Sequence, residues 1–135
     1  MKKLLLSLSF ILIIFNFIIS EPISQNNNEI IKLTTPILEN ILLGIEKEDY
    51  KIYSKDFDDT MKEAIPESKF KTTQKHIVSQ VGLIKEKIYL GFLNKEKYTI
   101  ILWKGKSNKI KDDILIQLVC SKRNGKIYVI GLWFK

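Results

Sequence analysis

Reactive chemistry is scarce in this chain. It has one cysteine, Cys120, and one histidine, His76. One cysteine excludes an intramolecular disulfide, and one Cys with one His cannot complete a structural zinc site. Cys120 lies inside an apolar run, which reads as a small buried hydrophobe rather than a reactive thiol. Arginine is equally rare: of 22 basic residues only Arg123 is not lysine. Phosphate recognition favours the bidentate arginine fork, so the formal charge of +7 reads as general solubilisation by lysine, and no nucleic-acid partner is expected. The chain also lacks a serine-nucleophile motif, a glycine-rich phosphate loop, a dinucleotide fingerprint and any Zn or Ca²⁺ ligand spacing. No catalytic residue, cofactor or metal is therefore assigned.

What is present begins with an apolar N-terminus. Lys2 and Lys3 precede Leu4 to Ile19, a run broken only by Ser7, Ser9 and Asn16. At 16 residues the run is shorter than the roughly 20 that a spanning helix needs. Residues 1–20 read as a signal peptide, with cleavage after Ser20 and a periplasmic or secreted product of charge +5. An uncleaved, membrane-anchored N-terminus is the alternative, and only then is a membrane a partner. Residues 21–34, polar and Asn-rich, read as a flexible leader with short helical character after Asn28. A single domain is expected over residues 35–135, a length that suits one hydrophobic core.

Thr35-Pro36 resembles a helix start, as N-cap and first helical position. Ile37, Leu38, Ile41, Leu42 and Ile45 then form one apolar face that ends at Gly44. Asp49 caps a second helix in which Tyr50, Tyr53, Phe57 and Met61 fall on one stripe, with Asp56, Asp58 and Asp59 turned to water. Ile65-Pro66 breaks that helix. A third runs from Glu67 to Gly82, with Phe70, Thr73 or Gln74, Ile77 and Val81 inward. From Leu83 the period becomes two. Strands are expected over 84–93, 97–104, 113–120 and 126–134, with a hairpin turn at Arg123-Asn124-Gly125. The last three strands are apolar on both faces, so helices cover one face and something else must cover the other.

Three stretches carry a family resemblance: GIEKEDYKIYSKDFDDTMKEAIPESKF (44–70), VG (81–82) and the closing GKIYVIGLWF (125–134). Over residues 35–135 the chain resembles the cone-shaped α+β superfamily of nuclear transport factor 2 and the ketosteroid isomerases, in a branch of exported bacterial domains. The resemblance implies N-terminal helices packed on a curved antiparallel sheet of about four strands, with a pocket at the wide end. An extra hairpin common in the superfamily has no counterpart here, which implies a smaller or filled pocket. Enzymes of the superfamily place an Asp base, a Tyr donor or a His–Asp pair inside the cone. Asp49, Asp56, Asp58, Asp59, Tyr50, Tyr53 and His76 are the residues of those types. The acids read more simply as a solvated helix face, the tyrosines as core or rim, and His76 as a surface residue without an acidic partner.

Three functions follow as expectations. The first is a non-enzymatic exported domain that binds a small apolar ligand or peptide, with Tyr50, Tyr53, Phe57, Met61, Trp103 and Trp133 as pocket candidates and the two tryptophans at adjacent-strand positions. The second is an interaction module whose sheet face forms a homodimer or docks an envelope partner. The third is an isomerase- or dehydratase-like enzyme, which requires a carboxylate buried in the cone.

Overall fold

The computed structural model describes residues 18–135; the expected signal peptide lies almost wholly outside them. The fold is α+β, with four helices packed on a curled antiparallel half-barrel. In chain order the elements are β1 Ser20–Glu21, α1 Asn27–Lys47, α2 Tyr50–Tyr53, α3 Asp59–Ala64, α4 Glu67–Val81, β2 Ile84–Asn94, β3 Thr99–Ser107, β4 Ile114–Arg123 and β5 Lys126–Phe134.

The first helix begins at Asn27 and not at Thr35-Pro36. Asn26 supplies the cap, its side chain accepting from the Glu29 N–H at 3.1 Å. Ile30, Thr34, Ile37, Leu38, Ile41 and Ile45 form a single buried stripe that runs through Pro36. Proline there removes one intrahelical donor, and burial of Ile30 upstream outweighs that loss. The supposed leader is therefore part of the fold. Ile23 is buried, and its N–H donates to Thr99 Oγ1 at 2.9 Å. Thr99 Oγ1 in turn donates to Asn94 Oδ1, and Asn94 Nδ2 to the Ser24 carbonyl. That chain of bonds ties the N-terminal segment to the β2–β3 turn.

Gly44 is not the end of α1, which closes at Glu48 in the left-handed conformation, φ 53°. Its role is proximity: a Cβ at Gly44 would stand 2.5 Å from the Tyr53 nitrogen, so only glycine lets α1 lie against α2. The expected Tyr50–Met61 helix is two short ones. Asp49 caps α2 by accepting from the Ile52 N–H, and Asp58 caps α3 by accepting from the Met61 N–H. Between them the chain turns through 54–56 and makes one parallel bridge to β5 at Phe57: Asp58 N–H donates to the Val129 carbonyl, and Val129 N–H to the Asp56 carbonyl. Tyr53, Phe57 and Met61 still turn inward and are buried. Asp58, expected in water, is buried as a cap and meets Arg123 Nη1 at 3.1 Å. The helix α4 matches expectation, with Phe70, Gln74 and Val81 buried and Gln74 Nε2 donating to the Ile45 carbonyl.

In the sheet β3 lies between β2 and β4, β5 pairs with the far side of β4, and β1 continues the β3 side of β4. Asn124 and Gly125 both have positive φ, 52° and 75°, as a two-residue hairpin turn requires. Register shifts in β2 and at Val119–Cys120 are bulges, which bend and coil a sheet. Thr99, Ile101 and Trp103 pair across to Cys120, Leu118 and Ile116, and this inner face is sealed under the helices.

Candidate functional site

The interior between the helices and the curled sheet is packed with the chain's own side chains. Tyr53 meets Phe57 and Phe70 at ring-centroid distances of 4.9 and 4.8 Å. Trp103 is 3% exposed and meets Tyr89 edge-on at 5.4 Å. Burial, with a smaller contribution from Tyr50, pushes the Tyr53 hydroxyl up to about 12. The Cys120 thiol is also pushed up by burial, which keeps it protonated and inert. Among the described residues no three His, Cys, Asp or Glu side chains converge as metal ligands.

Among the described residues an apolar hollow lies at the rim, between the free edge of β5 and α4. Its volume is about 240 Å³, and Tyr53, Ile65, Ile77, Val81, Leu132 and Phe134 form its floor and walls. Trp133 flanks it, and Thr73, His76 and Gln80 edge it from α4. Ligand pockets commonly span about 300–1,000 Å³, so this groove suits a small apolar group or a few peptide side chains. A larger hollow of about 570 Å³ is open and lined by charged residues, among them Glu48, Lys75 and Lys109. Desolvation of apolar surface is the main driving force for binding an apolar ligand, so the smaller groove is the better candidate.

Local sequence explains how the groove is held open. The helix α4 starts after Pro66 and presents Thr73, Ile77 and Gln80 on successive turns. Tyr50 fixes the α3–α4 corner, its hydroxyl donating to the Ile65 carbonyl at 2.8 Å. The β5 strand is pinned at Val129 by 56–58, and from Gly131 onward its outer edge faces the groove.

Of the six candidates, the structure brings Tyr53 and Trp133 to the groove. Phe57, Met61 and Trp103 are core, and Tyr50 is half-buried against Phe70. The two tryptophans do not share adjacent strands. Trp103 pairs with Ile116, and Ile116 with Phe134, so β4 separates them and Trp133 falls on the opposite face. Its ring lies over Gly131, where a Cβ would come within 2.6 Å of it. Ile65, Ile77, Leu132 and Phe134 were not singled out as site residues. The apolar closing stretch marked the last two as strand, but only the position of α4 makes them a groove.

Among the acids, Asp49 and Asp58 spend an oxygen on helix caps. His76 is exposed at the groove rim. The one buried acid among the described residues, Asp58, is held by the α3 cap and Arg123. Comparison of the chain with protein-family models, with curated proteins and with solved structures finds no match.

Proposed function

We propose that the protein is an exported, non-enzymatic domain of the nuclear transport factor 2-like cone architecture. It binds a small apolar ligand or a peptide in the groove between α4 and β5. The observation that carries this reading is the apolar hollow of about 240 Å³ beside an interior already filled by Tyr53, Phe57, Phe70 and Trp103. The order of helices before a curled antiparallel sheet supports the cone architecture. Export is supported by the apolar run after Lys2 and Lys3. Titrating the full chain with 1-hexanol and following Trp133 emission tests the site: saturable change is expected, and its absence in both wild type and Trp103→Phe removes the reading.

A second reading is favoured by the outer sheet face. Ile88, Leu90 and Leu93 of β2 are 49%, 55% and 54% exposed. Exposed apolar surface arranged in rows marks an interaction face, which fits a homodimer or an envelope partner. Sedimentation of the chain from low to high micromolar concentration is the check. A shift from monomer to dimer that Leu93→Lys abolishes supports a homodimer, and a monomer throughout removes it.

A further inference from the structure

We infer that the groove takes its ligand as an added strand: an extended, uncharged polypeptide segment pairs with the free edge of β5 at Leu132 and Phe134. The inference rests on the groove being the binding site and names the chemistry that fills it. Lys135 exchanges both backbone bonds with Leu115, at 2.7 and 2.9 Å. Backbone groups alternate in direction along a strand. Trp133 therefore faces β4, and the N–H and C=O groups of Leu132 and Phe134 point away from it, into the groove. Outside the β4–β5 pairing, neither has a backbone partner among the described residues. Backbone groups that turn from water to an apolar wall need partners, and a second backbone supplies donor and acceptor at the matching repeat. The outward residues are two apart, about 7 Å, so three residues of peptide engage both.

The same edge already accepts a strand-like segment. At Val129 it bonds the Asp56 carbonyl and the Asp58 N–H, at 2.7 and 3.1 Å, and chain 56–58 then turns away into α3. The groove is where that pairing stops. Residues of α4 line the far side of the groove, so an added strand would have α4, not another strand, as its next neighbour. Thr73, His76 and Gln80 on that helix carry side-chain donors and acceptors for the outer edge of a single strand. Ile65, Ile77 and Val81 receive the side chain that turns inward, so that residue is apolar. Main-chain bonds supply affinity and alternate side-chain pockets supply selectivity in strand addition.

The test uses the full chain and two peptides with identical side chains, acetyl-Thr-Val-Ile-Val-Thr-amide and the same sequence N-methylated at the three central residues. N-methylation removes the donors and leaves the apolar side chains. At saturation the unmodified peptide is expected to slow amide hydrogen exchange at Leu132 and Phe134 at least tenfold, and the N-methylated one to bind at least tenfold more weakly. Equal binding of both peptides overturns strand addition and leaves the groove as the site. Binding of 1-hexanol but of neither peptide does the same. Binding of none of the three overturns both readings.

Discussion

On the inner face of the sheet Trp103 is 3% exposed and packed edge-on against Tyr89; on β5 Trp133 is 47% exposed and lies across Gly131 beside the groove. Both belong to hydrophobic strands that contain similar runs, ILW and GLW. Strand periodicity gives them opposite faces, and the helices decide which face is sealed. Where α1, α2 and the Phe57 segment lie on the sheet, the aromatics are core. Where α4 stands off β5, they line a surface that a ligand can reach. An apolar cluster is thus a binding candidate only where the fold leaves a wall without its partner.

Removing either ring tests this contrast most severely. Trp103→Ala is expected to lower the unfolding free energy by about 3–5 kcal/mol, and Trp133→Ala by less than about 1 kcal/mol, measured by urea denaturation. Equal losses would break the comparison. Gly44→Ala places a Cβ against the Tyr53 backbone and should cost about 1–3 kcal/mol without altering ligand binding at the rim. A loss of binding there would mean that the two regions are coupled.

Legibility in the sequence divides along the same line. The strands and α4 are readable because their period is local, and the β4–β5 turn because Asn124-Gly125 suits positive φ. The start of α1 is hidden because Thr35-Pro36 imitates a cap, whereas the actual cap, Asn26, sits in an Asn-rich stretch without a contrasting neighbour. The break between α2 and α3 is hidden for a different reason. The spacing of Tyr50, Tyr53, Phe57 and Met61 fits one helix, and the turn at 54–56 with the distant bonds to Val129 interrupts it. The inward direction of Tyr53, Phe57 and Met61 was readable, since a stripe survives when a helix is cut in two. The groove was not, because its walls come from α4 and β5, which pattern alone cannot place side by side.

Tyr53, buried at the base of the groove, also carries a pH signature. Burial holds the Tyr53 hydroxyl up at about 12 against an ordinary 10, so the folded state favours its protonated form. That stability is fully present below pH 10 and is lost as pH rises from 10 toward 12, at up to about 1.4 kcal/mol per pH unit. Tyr53→Phe should flatten the decline in urea midpoint over this window; an unchanged slope would place Tyr53 in water. A smaller effect is expected at Asp58, where Asp58→Ala removes the α3 cap and the Arg123 partner. The cap alone is worth about 1 kcal/mol, and Asp58→Asn should recover most of it.

The most direct test of an open rim beside a closed interior uses the two indole N–H groups as reporters. In a ¹H–¹⁵N spectrum of the full chain, titration with 1-hexanol should shift the Trp133 indole signal saturably and leave the Trp103 signal in place. Movement of the Trp103 signal, with Trp133 unmoved, would put the binding site between the helices and the sheet and contradict the account.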